Sequence, residues 1–172
     1  AVMAQLGQDN YGSCRRWGDT VAAMLALNEF GRQANSVVYL LNRTYMPYYK
    51  WMFRGMEKFQ ILPEVAEKIR ELSVMGDTSE MWKPPFPPGW NPYVNQLDPR
   101  VGRTEELCQA AVGELRKQGL TDSRDAFLEA HTWAIMKRAQ APELKKCHVM
   151  DAQAADTRTK MGASLDWTGK NR

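Results

Sequence analysis

The chain has 172 residues, 23 Lys and Arg against 20 Asp and Glu, a formal net charge of +3 and 44% hydrophobic residues. This is the size of one domain with a single core, and so balanced a charge excludes a uniformly basic protein that binds nucleic acid or membranes by composition alone. No apolar run approaches the roughly 20 residues of a membrane helix, so we expect a soluble protein.

Two further features concern compartment and chain ends. Three distant cysteines without CxxC spacing, Cys14, Cys108 and Cys147, argue against a disulfide framework or a zinc site and favour the reducing cytoplasm. The N-terminus, AVMAQLGQ, has neither an initiator Met nor the pattern of a signal peptide. We therefore expect a fragment of a longer chain.

The first predicted helix begins at Asp19-Thr20 and runs through VAAMLALNEFGRQANSVVYLLNRT. A short acceptor side chain at its start satisfies the free amides of the first turn. Apolar residues at helical spacing predict one buried face. Its members are Met24, Leu27, Ala34, Val38 and Leu41. Gly31 costs a helix about 1 kcal/mol relative to Ala, so we expect another backbone to pack closely there.

A second helix is predicted from Pro47, which suits a first turn because its missing amide hydrogen costs nothing there. Tyr49, Phe53 and Met56 share one side of it. The turn before it falls at residues 44–46.

A third helix is predicted from Pro63, over PEVAEKIRELSVM. Val65, Ile69 and Leu72 are spaced by four and three, which indicates a short amphipathic helix. Gly76 is expected to end it in a left-handed conformation.

A long loop is predicted from Met81 to Pro99, because six of the nine prolines lie there and proline lacks the amide donor of helices and strands. The loop also carries aromatic side chains: Trp82, Phe86, Trp90 and Tyr93. Two interpretations stay open. The rings either cover the helical bundle or form a recognition surface for a partner.

Two more helices are predicted towards the C-terminus. Thr104 precedes EELCQAAVGELRKQGL, with acidic residues in the first turn and Gly119 after the last. The buried stripe of this helix comprises Leu107, Ala111 and Leu115. The next helix starts at Asp122 or Ser123 and continues through FLEAHTWAIMKR. Its inward residues are Phe127, Leu128, Ala134 and Ile135.

The predicted fold is all-α: a bundle of about five to seven helices with a long proline-rich loop. Pro142 begins a last short turn, and the bundle domain is expected to span residues 1–150. Residues 151–172 lose the apolar period and form a polar tail. That tail is either mobile or an arm that docks through Leu165 and Trp167.

The stretch YLLNRTYMPYYKWMFRGMEK, residues 39–58, is the strongest functional signal in the sequence. Lys50, Arg54 and Lys58 fall at steps of four on one helical face, with Arg43 nearby, and tyrosines and Trp51 interleave them. Cations bracketed by aromatic rings suit an anionic ligand with a flat ring, such as a nucleotide. The alternative is that the rings belong to the core and the charges are only solvated.

Three segments in fixed order resemble an uncharacterised domain family. They are QLGQDNYGSCRRWGDT, ALNEFGRQANSVVYLLNRTYMPYYKWMFRGM and FLEAHTWAIMKRAQAPELKKCHVM. YLLNR-x-YMPYYKW is the most distinctive part, and the resemblance extends to about residue 150. That family forms the helical C-terminal half of bacterial proteins classed as polymerase-β-like nucleotidyltransferases.

The resemblance implies a two-part enzyme in which an N-terminal domain holds Mg2+ ions and a nucleoside triphosphate and the helical half closes over the site. It implies that Lys50 and Arg43 contact triphosphate or acceptor, and that Arg54 supports them. It also implies that further side chains line the cleft: Tyr39, Asn42, Tyr45 and Tyr49.

The catalytic motif of such enzymes is missing from this sequence. A Gly-Ser turn followed by a D-x-D or D-x-E pair does not occur, and the nearest approach is GDTSE at residues 76–80. We therefore expect no catalytic residue and no metal site in this chain. The missing N-terminal nucleotidyltransferase domain is its expected partner, with no membrane partner.

Two alternatives belong to other classes. Arg124 and His131 resemble the R-x4-6-H signature of helical HEPN ribonucleases, in which Arg holds a phosphate and His transfers protons; a hydrogen-bonded structural His131 competes with this. The other alternative is a non-enzymatic protein-interaction module that uses the aromatic loop.

Two segments carry weaker signals. His148 beside Cys147 is half of a metal site at most. The segment CRRWGD, at residues 14–19, offers either a second basic edge to the cleft or a helix terminus that Asp19 caps.

Overall fold

The computed structural model describes residues 1–142 and contains no β-strand in that range. The predicted all-α class is confirmed. Within the same residues, no helix is long and apolar enough to cross a membrane. The α-helices are α1 (Val2–Ala4), α2 (Tyr11–Arg16), α3 (Thr20–Leu41), α4 (Tyr49–Gly55), α5 (Glu64–Val74), α6 (Pro99–Lys117) and α7 (Ala130–Arg138).

Helices α1 and α2 are joined by a π-helical segment, Gln5–Asn10, so the N-terminal region winds without a break from Val2 to Arg16. It packs across α3 and α6. Close approach requires a glycine here, because a Cβ on Gly12 would lie 2.5 Å from the Pro92 carbonyl oxygen. The backbone of this helix therefore contacts the proline-rich loop directly.

Helix α3 is the central element. Its predicted start is confirmed, since the Asp19 carboxylate accepts a hydrogen bond of 2.9 Å from the Ala22 amide. The prediction for Gly31 is wrong: a Cβ there would meet no atom within 4 Å. The apolar face predicted for this helix is buried, with Met24 at its edge. That face supplies much of the core.

Helix α4 begins at Tyr49, two residues after Pro47, and one side of it is buried. Met52 and Met56 are buried, whereas Tyr49 is 60% exposed. The side is set by α3, because Tyr39 donates a hydrogen bond to the Met52 carbonyl oxygen (2.9 Å). A 3-10 turn, Met56–Lys58, follows the helix.

Helix α5 confirms its predicted span and face, with Val65, Ile69 and Leu72 buried. The left-handed stop predicted at Gly76 is wrong. The helix ends because Met75 turns to an extended conformation, with ψ of 131°.

The proline-rich region contains two 3-10 turns, Ser79–Trp82 and Pro92–Val94, and otherwise has irregular backbone. Helix α6 starts earlier than predicted, at Pro99 rather than after Thr104. Asp98 is its N-cap and accepts from the Arg100 amide at 2.9 Å, and Pro99 suits the first turn. The stripe of Leu107, Ala111 and Leu115 is buried as predicted.

After α6, Gly119 adopts the left-handed conformation with φ of 68°. The predicted helix from Asp122 or Ser123 begins only at Ala130. Ser123 and Asp125 accept hydrogen bonds from amides two residues on, and these local turns compete with a helix. Phe127 is consequently 37% exposed, while Leu128 is buried as predicted. The predictions for the turn from Pro142 onward and the tail concern residues beyond those described.

Candidate functional site

The end of α3 determines where residues 43–58 lie. The side-chain amide of Asn42 donates to the carbonyl oxygens of Val38 (2.9 Å) and Ile61 (3.0 Å), and its oxygen accepts from the Ile61 amide (3.3 Å). Arg43 then takes a left-handed conformation, with φ of 52°. That conformation ends the helix and turns the chain outward, towards α4.

Tyr39 holds α4 against α3. It is 3% exposed, its ring meets the Phe59 ring edge-on at 4.8 Å between centroids, and a Cβ on Gly55 would collide with its hydroxyl. Burial raises the pKa of the Tyr39 phenol, which favours the protonated form that donates to Met52. Tyr39 and Asn42 therefore fix the backbone beneath the exposed residues.

The remaining predicted site residues are exposed, and we call them the cationic-aromatic face: Arg43, Tyr45, Tyr49, Lys50 and Arg54. Tyr45 is 99% exposed. The Tyr49 ring lies 4.5 Å from that of Tyr48, which is exposed as well, and Trp51 lies beside them in sequence with more than half of its surface free.

The cations of this face have no acidic partners in the described part of the chain. Among residues 1–142, Arg43, Lys50 and Arg54 form no ion pair, and their side chains make no hydrogen bond. Glu57, the one acid of residues 39–58, is exposed. No acid of residues 1–142 therefore pairs with these charges.

The cavity that Arg43 lines does not include Lys50. Arg43 lines a cavity of about 370 Å³ with Ile61, Glu114 and Lys117, and Lys50 is not among its residues. The residues of the face are exposed, at the end of α3, in the segment after it and on α4.

Residues 14–19 were interpreted either as a second basic edge to the cleft or as a helix terminus capped by Asp19. Asp19 caps α3. Arg15 is buried, donates to Tyr11, Ser79 and Thr78, and lies 3.7 Å from Asp77. Arg15 therefore belongs to the interior, and Arg16 is the one arginine of this segment that is exposed, beside the exposed Trp17.

The aromatic loop covers the bundle. Trp82 is buried and donates to the Asp98 carboxylate at 2.7 Å. The Trp90 ring stacks on Phe86 at 3.9 Å and meets Trp82 edge-on at 5.8 Å. The interpretation that the rings cover the helical bundle therefore accounts for Trp82, Phe86 and Trp90. The fourth ring, Tyr93, is 45% exposed.

The geometry of His131 does not support the ribonuclease alternative. The imidazole is 0% exposed, its Nε2 donates to the Asp125 carbonyl oxygen (2.9 Å), and its Nδ1 accepts from the Thr121 hydroxyl (3.0 Å). Both ring nitrogens are occupied away from solvent, and Arg124 is exposed. This pair cannot meet a scissile phosphate as placed.

The described residues offer no cluster of metal ligands. No group of three or more His, Cys, Asp or Glu side chains within residues 1–142 is arranged to hold a metal ion. Cys147 and His148 lie outside the described residues.

Sequence reasoning missed the buried carboxylate of Asp98, which is 0% exposed and accepts from Tyr11 (2.8 Å), Thr78 (3.0 Å) and Trp82. The signal for it was the dipeptide Asp98-Pro99, a helix start. It also missed Arg100, which is buried beside a cavity.

Comparison with known proteins gives one result. The family model for a domain of unknown function, DUF4037, matches residues 1–52. The match runs from α1 into α4, and it includes every residue of the cationic-aromatic face except Arg54. No curated protein and no solved structure matches the chain.

Proposed function

We propose that this chain is the acceptor-binding or closing half of a nucleotidyltransferase, and that the cationic-aromatic face contacts the nucleotide or the acceptor. One observation carries the proposal. Three cations without acidic partners among residues 1–142 stand beside exposed tyrosine rings on a rigid helical base.

The chemistry of this face matches a nucleotide. Guanidinium and ammonium groups pair with phosphate oxygens, and a base stacks on an exposed aromatic ring without regard to sequence. Lys50 and Arg43 would bind the triphosphate or the acceptor, and Tyr45 and Tyr49 would line the cleft. Arg54, one turn after Lys50, would strengthen the positive potential there.

Tyr39 and Asn42 would act as positioning residues. Both are engaged with backbone groups, Met52 for Tyr39 and Ile61 for Asn42, so they would set the height and angle of α4 rather than touch the ligand. This is a narrower role than cleft lining.

The reaction itself needs parts that a companion N-terminal nucleotidyltransferase domain would supply. Its carboxylates would hold Mg2+, and the metal would neutralise the triphosphate and activate the attacking hydroxyl. The helical half would exclude water and orient the acceptor as it closes. The similarity over residues 1–52 supports a shared role for this region and names no activity.

The test is a titration of ATP with Mg2+ into the natural full-length protein, in wild type and in Lys50→Ala. Loss of one charged contact to phosphate should weaken binding about tenfold or more, with the thermal transition unchanged because Lys50 is exposed. Lys137→Ala is the matched control, since Lys137 also forms no ion pair within residues 1–142.

Equal ATP affinity in wild type and Lys50→Ala would count against the proposal. So would an equal loss in Lys137→Ala, because that result would point to a diffuse effect of net charge.

A further inference from the structure

An open groove lies where the π-helical segment Gln5–Asn10, the 3-10 turn Pro92–Val94, the first half of α6 and the loop before α7 meet. Its volume is about 500 Å³. Pockets that bind small ligands have volumes of roughly 300–1,000 Å³. None of the residues of the cationic-aromatic face lines the groove, so it is a separate site from the one proposed for the nucleotide.

Three large apolar side chains line the groove and are exposed in it. Tyr93 and Val94 come from the 3-10 turn, and Phe127 comes from the loop before α7. Within residues 1–142, neither ring contacts another aromatic ring or a cation. Exposed apolar side chains that lie together, unlike scattered ones, mark binding sites. Tyr93 is also the one ring of the aromatic loop that does not serve to cover the bundle.

Two carboxylates line the same groove, and neither has a cationic partner. Asp9 and Glu105 form no ion pair with any residue from 1 to 142. The two oxygens of Glu105 accept from the neutral amides of Gln8 (2.6 Å) and Gln109 (2.7 Å), which leave its charge uncompensated. The Asp9 Oδ1 accepts from Ser13 at 3.3 Å, whereas its Oδ2 accepts from none of these residues and is not a buried atom. The groove therefore offers a carboxylate oxygen with unused acceptor capacity.

Hydrogen bonds between separate segments hold the groove in this shape. Gln8 donates to Glu105 and accepts from the Leu128 amide at 3.0 Å, so it joins α6 and the loop before α7 to the N-terminal helix. The Asn91 side chain accepts from the Tyr93 amide at 3.0 Å and fixes the 3-10 turn. A ligand would therefore meet a site that is already formed, which lowers the entropic cost of binding.

We propose that this groove binds a small organic amine with an aromatic body. The ammonium group would donate to Asp9, in the negative potential that Asp9 and Glu105 create together. The aromatic body would pack on Tyr93, Val94 and Phe127. Hydrogen bonds between an ammonium and a carboxylate are roughly twice as strong as neutral ones, and aromatic faces attract cations. Both carboxylates would repel an anion of the same shape.

The experiment titrates 3-phenylpropylamine into the purified chain by calorimetry, with 3-phenyl-1-propanol and 3-phenylpropanoate as neutral and anionic probes of the same shape. The amine should bind at least about tenfold more tightly than the alcohol, because a hydrogen bond between charged groups is stronger than a neutral one. The propanoate should not bind. Equal affinities for the amine and the alcohol, saturable binding of the propanoate, or no saturable binding of the amine would overturn the proposal.

Two double variants locate the site. Asp9→Asn with Glu105→Gln keeps the shape of the groove and should lower the affinity for the amine about tenfold, to that of the alcohol. Glu57→Gln with Glu64→Gln is the matched control and should leave the affinity unchanged. It removes the same charge from two exposed acids that neither line the groove nor form an ion pair within residues 1–142. Equal losses in the two double variants would show that the amine responds only to net charge, which would overturn the proposal.

A second readout is needed if the Asp9→Asn, Glu105→Gln variant fails to fold. Amide NMR of the wild-type chain with 3-phenylpropylamine should then move the signals of Gln8, Val94 and Phe127 most, since all three line the groove. Largest shifts at residues outside the groove would overturn the assignment.

Discussion

Tyrosine, tryptophan and arginine serve opposite purposes in two regions of this molecule. Around Asp98 they are buried and bonded: Tyr11 and Trp82 donate to its carboxylate at 2.8 and 2.7 Å. In the cationic-aromatic face and beside it the same residue types are exposed, with Tyr45 at 99%. Residue type therefore does not separate structural from available side chains.

The two regions differ in whether a buried carboxylate is present to accept hydrogen bonds. Asp98 collects donors from α2, from the proline-rich region and from its own helix, so it organises the interior. Between residues 39 and 58 the sole acid is Glu57, and it forms no ion pair within residues 1–142. Where a buried carboxylate is provided, polar side chains become part of the fold. In residues 39–58, where no buried carboxylate is provided, such side chains are exposed.

The largest expected effect comes from removing that carboxylate. Asp98→Ala should lower the free energy of unfolding by at least about 3 kcal/mol, because it deletes an N-cap and leaves buried donors on Tyr11, Thr78 and Trp82 without an acceptor. Urea denaturation followed by circular dichroism measures it. Asp98→Asn keeps an N-cap oxygen and should lower the free energy of unfolding by less. Equal losses in the two variants, or negligible losses in both, would contradict the difference drawn between the two regions.

The next effect lies at the base of the face. Gly55→Ala should cost about 2 kcal/mol, since its Cβ would collide with the Tyr39 hydroxyl. Tyr39→Phe removes that hydroxyl, so Gly55→Ala should cost clearly less in a Tyr39→Phe background. A double-mutant cycle on unfolding free energies measures the coupling. Additive costs would show that the hydroxyl does not limit the approach of α4.

The interior also predicts a pH dependence. Burial, as the largest cause, raises the pKa of the Tyr11 phenol above its ordinary value. Its contribution to stability is present below about pH 10, and it is lost above that pH because the unfolded chain releases the proton first. The slope is up to about 1.4 kcal/mol per pH unit. Tyr11→Phe should show a shallower decline between about pH 10 and 11 by urea denaturation, and an identical decline would refute this.

The smallest effect on stability is expected in the face. Tyr45→Ala should change the free energy of unfolding by less than about 0.5 kcal/mol, because the side chain is almost wholly exposed and lies outside the core. Differential scanning calorimetry is sufficient. A loss above about 1 kcal/mol would mean that the ring is structural, and the distinction between the two regions would fail.

Much of the fold follows from periodicity and capping alone. The start of α3 at Asp19 and the buried stripe of α5 are local properties, and the sequence predicts both. The side on which α4 packs is not a local property, because the Tyr39 hydroxyl and Gly55 decide it through a contact between two helices. Periodicity within seven residues cannot carry that information.

In the candidate site, too, some features follow from local sequence and others depend on distant residues. Exposure of Arg43, Lys50 and Arg54 is consistent with a solvated charged face, which residue chemistry suggests directly. The buried positions of Arg15 and His131 depend on partners 63 and 10 residues away, Thr78 and Thr121, that no local pattern identifies. Long-range hydrogen bonds are the part that sequence reasoning alone does not reach.

Two hydrogen bonds between Asn42 and Ile61 join the two ends of the segment that carries the cationic-aromatic face. A third, from the Tyr39 hydroxyl to the Met52 carbonyl oxygen, holds the middle of that segment. Because residues 43–60 are tied to α3 by these three hydrogen bonds, we expect them not to move as a separate flap. We expect this segment to move together with α3. A ligand bound at Lys50 would then be coupled to the position of the central helix.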